Sequence, residues 1–167
     1  TIVGKKCFLM ATSHVGHDCV VGDQVVLANA SLLAGHVSVG AHTFMGGGSA
    51  VHQFCRIGES VMVGGLAAIT RDVPPYIMVA ERDDVISLNN VGLRRRGFSR
   101  EVLKELKSAY QGVFFTAGNI RTIAAERLST SAEMSAEVRQ FLGFFAEGTR
   151  GFGRARHQRK AEASDVS

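Results

Sequence analysis

Residues 1–72 read TIVGKKCFLMATSHVGHDCVVGDQVVLANASLLAGHVSVGAHTFMGGGSAVHQFCRIGESVMVGGLAAITRD. From Val3 to Ile69 every sixth residue is aliphatic or Met, and the residue two places before it is always small or β-branched. The residue that follows it is mostly Gly or Ala. A period of six fits neither an α-helix nor a flat strand. It is typical of a parallel β-helix, in which each short strand ends in a turn and each coil stacks on the last.

Three hexads close one triangular coil of roughly 18 residues, so residues 1–72 hold about four coils. We expect the aliphatic residue of each hexad to point inward, with the small residue two places earlier filling the narrow part of the triangle. The following Gly or Ala is expected at a corner, where a positive φ or a close backbone approach disfavours a Cβ. Such an interior is filled, so any function must lie on the outer faces or between chains.

The three cysteines, Cys7, Cys19 and Cys55, all fall on the small inward position. We expect them to be buried apolar residues rather than a disulfide or a metal site. Their odd number and the absence of a CxxC motif favour a reducing compartment. Because the sequence shows no apolar run of membrane-spanning length and no signal peptide, a soluble cytoplasmic protein is expected. The repeat is already in mid-pattern at Thr1, from which we expect a longer chain with further N-terminal coils.

The charge of +4 is confined to one part of the chain. Residues 1–72 carry four basic and four acidic residues, whereas residues 73–167 carry 15 basic and 11 acidic residues. Pro74 and Pro75 end the repeat, because neither can donate to a strand ladder. The pattern predicts a loop or linker over residues 73–97, with its most polar part at 81–90.

A small helical domain is predicted over residues 98–153. Ser99 has the character of an N-cap, and apolar residues follow it at helical spacing up to Phe114. Two further helices are expected at about 120–128 and 131–146. The basic tail, residues 154–167, lacks apolar periodicity and is expected to be disordered, either solvated or in contact with an acidic partner.

Histidine is the unusual polar residue of the repeat. Five histidines occur within 39 residues, at His14, His17, His36, His42 and His52. His17 and His36 are 19 residues apart, which is about one coil plus one residue. We therefore expect them to lie nearly above one another on neighbouring coils, and stacked coils are about 4.8 Å apart. Spacing alone leaves three interpretations open: surface polar residues, a general base in which Asp18 orients His17, and a zinc site.

Several longer strings resemble one enzyme family. They are LMATSHVGHDCVVG (9–22), LAGHVSVG (33–40), AVHQFCRIG (50–58), VMVGG (61–65), DVPPY (72–76) and GLRRRGFSRE (92–101). Together they are closely similar to the acyl-[acyl-carrier-protein]–UDP-N-acetylglucosamine O-acyltransferase family of lipid A biosynthesis, over about residues 3–79 and 89–150. The resemblance implies a left-handed parallel β-helix followed by a small C-terminal helical domain. It also implies a homotrimer with active sites between subunits.

The resemblance implies roles for individual residues. His17 matches the family's general base, Asp18 its acidic partner, and Gly35 the residue whose backbone N–H faces the developing oxyanion. Positions around the sugar and the acyl chain are matched by His14, His36, His52 and Gln53. Gly65 matches a position that helps to set acyl-chain length.

The nucleotide and phosphate contacts of the family are matched by Asn89, Arg95 and Arg96. An arginine fork suits a diphosphate. The chain departs from the family in two places. Residues 80–88 differ from the family's usual segment and are one residue shorter, and Val91 stands where an acidic residue is expected near the nucleotide.

The implied reaction moves an acyl or 3-hydroxyacyl chain from acyl carrier protein to the glucosamine 3-position of UDP-N-acetylglucosamine. It implies no metal and no tightly held cofactor, because the acyl donor is carried on the phosphopantetheine of the carrier. The expected partners are therefore the carrier protein, the sugar nucleotide and further copies of the chain, without nucleic acid. Other readings remain open: a non-catalytic hexapeptide scaffold or a truncated inactive fragment, either of which would bind a sugar nucleotide, and a metal-dependent hydratase.

Overall fold

The computed structural model describes residues 1–130 and 133–155. The hexapeptide region forms twelve two-residue strands. In chain order they are β1 Ile2–Val3, β2 Phe8–Leu9, β3 His14–Val15, β4 Val20–Val21, β5 Val26–Leu27, β6 Leu32–Leu33, β7 Ser38–Val39, β8 Phe44–Met45, β9 Ala50–Val51, β10 Arg56–Ile57, β11 Met62–Val63 and β12 Ala68–Ile69. Every third strand stacks in one sheet, so the chain winds as a three-sided prism.

The three sides of the prism are parallel sheets. The first face has the order β1-β4-β7-β10, the third face has the order β3-β6-β9-β12, and the second face contains β2-β5-β8-β11. Paired residues are 18 apart, as in Val3 opposite Val21 and Leu9 opposite Leu27. This register confirms the predicted parallel β-helix and its coil length.

The core follows the predicted inward positions. From Val21 to Ile69 the aliphatic residue of each hexad is buried, and Cys19 and Cys55 are buried on the small position. All three cysteines are free thiols, with Cys7 half-buried in the first coil. Val3 and Leu9 are exposed although they occupy the inward position, because only one neighbouring coil stacks against them. The interior is thus filled, as expected.

Close packing between coils explains the glycine that follows the aliphatic residue in most hexads. The other predicted explanation, a positive φ at this position, is wrong. A Cβ on Gly40 would lie 2.4 Å from the Glu59 backbone nitrogen one coil away, and Gly40 does not have a positive φ. Positive φ falls two residues later in each hexad, as at Asp18 (58°) and His36 (60°). The left-handed residues of the turns are therefore mostly not glycines.

The polar segment 81–90 was predicted as a loop, and this prediction is wrong. Strand β13, Ile77–Ala80, continues the second face, and β14, Asp84–Leu88, pairs with it antiparallel. The acidic residues that gave the segment its loop-like composition make structural contacts. Asp83 accepts hydrogen bonds from the Thr70 N–H at 2.7 Å and from the Thr70 hydroxyl at 2.6 Å.

The predicted disordered tail begins with ordered residues. Arg154–Ala155 forms strand β15, which pairs in parallel with β14 and completes the second face. The remainder of that prediction, residues 156–167, lies outside the described residues. Among the residues that the structure describes, no helix combines the length and the apolar character needed to cross a bilayer.

Four α-helices follow the prism: α1 Asn90–Arg95, α2 Arg100–Phe114, α3 Ile120–Thr130 and α4 Ala136–Gly143, with a 3₁₀ turn at Phe144–Ala146. The first predicted helix is confirmed, including its Ser99 cap, whose hydroxyl accepts from the Val102 N–H. The helix predicted from 131 begins instead at Ala136, because Ser135 caps it. Helix α1 lies in the segment that was predicted as linker.

A buried ion pair joins the helical part to the prism. The Arg56 Nε atom lies 2.9 Å from Asp72 Oδ2, and the Asp72 side chain is 0% exposed. The Arg56 Nη2 atom also donates to the carbonyl oxygens of Phe144 and Glu147. The guanidinium thus satisfies both the buried carboxylate and the exposed carbonyls that follow α4, and it fixes the helices against the last coil.

Candidate functional site

Three edges of the prism carry the turns between strands. The His17 edge joins the third face to the first and consists of residues 17–18, 35–36, 53–54 and 71–72. The Gln24 edge joins the first face to the second, at residues 5–6, 23–24, 41–42 and 59–60. The Gly65 edge joins the second face to the third, at residues 11–12, 29–30, 47–48 and 65–66. Turn residues 18 apart therefore stack along each edge.

His17 and Asp18 form a hydrogen-bonded pair in one turn of the His17 edge. The His17 Nδ1 atom lies 2.8 Å from Asp18 Oδ2. The two side chains are 73% and 62% exposed. Adjacent side chains on a strand diverge, but the positive φ of Asp18 in this turn allows its carboxylate to reach the ring.

The hydrogen bond defines the state of both groups. It lowers the pKa of the Asp18 carboxyl, and the nearby imidazole of His36 lowers it further. Asp18 is therefore ionised at neutral pH and can only accept, so the Nδ1 atom of His17 carries the hydrogen. In the neutral ring this leaves the lone pair on Nε2, which is the form that a general base requires.

His36 lies one coil above Asp18 and completes a cluster of three polar side chains. Its Nε2 atom is 3.6 Å from Asp18 Oδ2, and its ring meets the His17 ring edge to face at a centroid distance of 5.1 Å. Phe54, a further coil on, stacks on His36 with ring centroids 4.8 Å apart. The predicted closeness of His17 and His36 is confirmed, whereas the supporting role of Phe54 was not foreseen.

Gly35 is the stacking neighbour of His17 on this edge. A Cβ at Gly35 would lie 2.5 Å from the His17 ring, so only glycine leaves room for the imidazole in this position. Within residues 1–130 and 133–155, no hydrogen-bond acceptor is assigned to the Gly35 N–H. A backbone donor thus lies beside the ring of the candidate base.

Two of the remaining histidines, His14 and His52, fall on or beside the same edge, whereas His42 lies on the Gln24 edge. His14 is exposed on β3, three residues before the His17 turn. His52 and Gln53 lie two coils above His17, and the His52 Nδ1 atom is 3.1 Å from the Gln53 carbonyl oxygen. The fold therefore gathers His14, His17, Asp18, Gly35, His36, His52 and Gln53 along one side of the prism.

The residues that are predicted to contact the nucleotide lie elsewhere in the chain, next to the Gln24 edge. Asn89 caps α1 by accepting from the Gly92 N–H, and its Nδ2 atom donates to the Ser60 carbonyl oxygen at 2.9 Å. Arg96 pairs with Glu59, with Nη1 2.8 Å from Oε1. Gly65 lies on the remaining edge, the Gly65 edge between the second and third faces. Within one chain none of these residues comes together with His17. The first face separates the His17 and Gln24 edges, and the third face separates the His17 and Gly65 edges.

Beside the Gln24 edge is a groove of about 810 Å³, a volume within the usual range of ligand sites. Its floor is the outer surface of the second face, with Phe44 and Met62, and its far wall is α1 with Asn89 and Arg95. The groove combines an apolar floor with a basic rim. Val91, at which the resemblance led us to expect an acidic residue, is exposed in this wall.

A second groove, of about 1160 Å³, lies between β14 and α2. Four cationic side chains line it: Arg94, Arg100, Lys104 and Lys107. Three of them project from α2 at spacings of four and three residues, which places them on one face of the helix. The sequence located the basic excess in this half of the chain but not this face.

The architecture and the sites define a class of protein: a hexapeptide-repeat β-helix with a C-terminal helical part and a histidine-rich edge. Residues 72–153 match the family described as Udp N-acetylglucosamine O-acyltransferase; Domain 2. Curated relatives are named acyl-[acyl-carrier-protein]–UDP-N-acetylglucosamine O-acyltransferase. That of Thiobacillus denitrificans is 43% identical over 90% of this chain and 58% of its own length. That of Campylobacter concisus is 40% identical over 90% of this chain and 57% of its own length.

Solved structures with similar folds are named UDP-N-acetylglucosamine acyltransferase, in agreement with the names of these curated relatives. The UDP-N-acetylglucosamine acyltransferase from Campylobacter jejuni superposes with a TM-score of 0.87 at 35% identity, covering 93% of this chain and 61% of that one. The enzyme of the same name from Francisella novicida gives a TM-score of 0.89 at 30% identity, covering 96% and 59%. The predicted resemblance to the acyl-[acyl-carrier-protein]–UDP-N-acetylglucosamine O-acyltransferase family is confirmed, as is the left-handed parallel β-helix with a C-terminal helical region. The chain spans about 58% of the length of the first of these relatives.

Proposed function

We propose that this chain carries the catalytic edge of an acyltransferase that moves a 3-hydroxyacyl chain from acyl carrier protein to UDP-N-acetylglucosamine, the first step of lipid A biosynthesis. The observation that carries the proposal is the arrangement of His17, Asp18 and Gly35. A carboxylate-oriented imidazole lies beside a backbone N–H to which no acceptor is assigned among the described residues. Acyl transfer to an alcohol uses a base and an oxyanion donor of these two kinds.

In this mechanism the Nε2 atom of His17 removes the proton from the glucosamine 3-hydroxyl as that oxygen attacks the thioester carbonyl. Asp18 stabilises the imidazolium that forms. The Gly35 N–H donates to the oxyanion of the tetrahedral intermediate, a contact commonly worth about 3–4 kcal/mol. When the intermediate collapses, the carbon–sulfur bond breaks and the imidazolium returns the proton to the phosphopantetheine thiol. The products are the 3-O-acylated sugar nucleotide and the free carrier.

The proposal includes a homotrimer in which each active site lies between two chains. In one chain a whole face separates His17 from the groove of Asn89 and Arg95, so a single chain cannot offer both to one substrate. Apolar side chains flank the His17 edge on both sides: Val20 on the first face, Leu32 on the third and Phe54 in the edge itself are exposed. Neighbouring exposed apolar residues of this kind mark contact surfaces.

The groove with the four cationic side chains supports a docking surface for the carrier. Arg100, Lys104 and Lys107 present one cationic face of α2, and Arg94 extends it from α1. Acyl carrier proteins are acidic, so complementary charge would steer the carrier and its acyl group toward the His17 edge. We further propose a cytoplasmic location, where carrier and sugar nucleotide meet, and a reaction without a resident metal or cofactor.

The test is a product assay. The purified protein is incubated with UDP-N-acetylglucosamine and a panel of acyl carriers, and the sugar nucleotide is analysed by mass spectrometry. A mass increase of one hydroxyacyl group, lost on base hydrolysis of the ester, is expected for the wild type and not for His17→Ala. A wild-type protein that binds both substrates and forms no acylated product would favour the non-catalytic scaffold.

A further inference from the structure

The cluster on the His17 edge has a second chemical capacity besides proton transfer. His17, Asp18 and His36 each offer one ligand atom, and these three atoms lie within 4.8 Å of one another. Two imidazoles and one carboxylate form a ligand set that Zn²⁺ and neighbouring divalent transition metals favour. No other group of three such residues meets this spacing in the part of the chain that the structure describes.

The distances suit a tetrahedral ion after small side-chain rotations. Zinc bonds of about 2.0–2.1 Å at tetrahedral angles hold ligand atoms about 3.3 Å apart. Here the His17 Nδ1 and Asp18 Oδ2 atoms are 2.8 Å apart, and Asp18 Oδ2 and His36 Nε2 are 3.6 Å apart. In the single chain all three side chains are substantially exposed, at 73%, 62% and 43%, so a fourth ligand can come from water or from a neighbouring chain.

The rings are also held in place. His36 is stacked on Phe54 with an angle of 15° between the planes, and it contacts His17 edge to face. Both Asp18 and His36 are fixed in the left-handed turn conformation, on consecutive coils of a rigid prism. Such pre-organisation lowers the conformational entropy lost when a ligand binds.

We propose that the His17 edge binds one Zn²⁺ per chain through His17, Asp18 and His36, and that this ion inhibits the enzyme. The inhibition rests on the proposed function, because it concerns the same imidazole. A metal on Nε2 of His17 occupies the lone pair of the base. A metal on Nδ1 displaces the hydrogen to Nε2. In either case His17 has no free nitrogen with which to accept the proton of the sugar hydroxyl.

The binding test does not depend on activity. Protein without an affinity tag is titrated with Zn²⁺ by calorimetry and then analysed for metal content after desalting. One ion per wild-type chain is expected. His36→Ala and Asp18→Asn should each weaken binding at least about tenfold, the lower end of the loss for removing a group that merely supports a ligand. His42→Ala, which removes a histidine from the Gln24 edge, is the matched control and should bind as the wild type does.

The inhibition test uses the product assay. Added Zn²⁺ should abolish acyl transfer by the wild type with a midpoint equal to the calorimetric Kd, and chelation should restore the rate. Equal zinc affinity in the wild type, His36→Ala and Asp18→Asn would overturn the metal site, whatever the protein's activity. Stimulation by zinc would overturn the inhibitory role. Because binding is measured separately, a protein without acyltransferase activity that still binds zinc at this edge would refute the proposed function and not the site.

Discussion

The His17 Nδ1 atom and the Asp18 Oδ2 atom lie 2.8 Å apart although the two residues are adjacent in sequence. This contact is possible because Asp18 adopts a φ of 58° in the turn, which moves its carboxylate to the same side as the ring. The same turn projects both side chains away from the filled prism. A base and its orienting carboxylate are thus supplied by one dipeptide at an edge.

His17→Ala should lower the rate of acyl transfer by about 10²–10⁴-fold, the usual contribution of a positioned general base. Asp18→Asn should cost less than His17→Ala, because the base itself remains and only the carboxylate that orients its ring is lost. Steady-state kinetics with Glu126→Gln, an exposed residue of α3 outside both grooves, as the control measure both effects. A His17→Ala protein with near-normal turnover would rule out the assignment.

Gly35→Ala should lower turnover about a hundredfold, since displacing a catalytic group by about 1 Å has this effect. The added Cβ would lie 2.5 Å from the His17 ring and push it aside. Gly47→Ala is a matched control at the equivalent turn position of another edge, where the Cβ would come no nearer than 3.4 Å to its closest neighbour. Equal rates for the two variants would show that Gly35 does not position the imidazole.

Asp72→Ala should lower the free energy of unfolding by about 3 kcal/mol. This value is the lower end of the range for breaking a buried ion pair, because the Arg56 side chain is still 24% exposed to solvent. The change leaves the cation without its carboxylate and weakens the docking of the helices on the last coil. Urea denaturation measures the effect, with Glu126→Gln as a control for loss of an exposed charge. A difference below about 0.5 kcal/mol, typical of surface substitutions, would show that the pair does not hold the two parts together.

The double variant Lys104→Glu/Lys107→Glu should raise KM for the acyl carrier and leave kcat nearly unchanged, because these residues steer the carrier without contacting the reacting atoms. In the wild type, added salt should also raise KM for the acyl carrier, since salt screens the exposed charges of the groove. Arg139→Glu on α4, outside the groove, is the control. Unaltered KM in the double variant would remove this groove from the carrier surface.

Cys55 should resist alkylation in the native protein. Its burial raises the pKa of the thiol to about 11, so at pH 8 almost none of it is the reactive thiolate. Cys7, half-buried in the first coil, should react first when iodoacetamide is added and the sites are mapped by mass spectrometry. The Cys55 thiol ionises near pH 9 in the unfolded chain and only near a pKa of about 11 in the native one, so the free energy of unfolding should fall as the pH rises from 9 toward 11. Labelling of Cys55 as fast as Cys7 would contradict this packing.

The repeat could be predicted from the sequence because its physical requirement recurs every six residues. Each coil must bury one aliphatic residue and admit one small residue, so Val21, Leu27 and Cys19 lie where the period places them. The 19-residue spacing also brought His36 close to His17. The position of positive φ was misassigned, because close packing by itself already demands glycine at positions such as Gly40.

What the sequence did not reveal depends on contacts between distant segments. The acidic residues of 81–88 predict a loop by composition, but Asp83 hydrogen-bonds to Thr70 and holds a strand against the prism. Arg56, which pairs with Asp72, also donates to carbonyl oxygens of the helical part that lie about 90 residues later in the chain. Likewise, the separation of His17 from Asn89 and Arg95 by a whole face follows from the winding of the chain, which no local pattern displays.

This separation allows the most direct test of the account, in which His17 of one chain acts on a substrate held by α1 of another. His17→Ala and Arg95→Ala chains, each inactive or nearly so, are co-expressed with different tags, and the mixed oligomers are purified. About one third of the wild-type rate is expected, because in a closed ring of three one interface then carries both native residues. Mixed oligomers that remain as inactive as either parent would contradict a base shared across the subunit boundary.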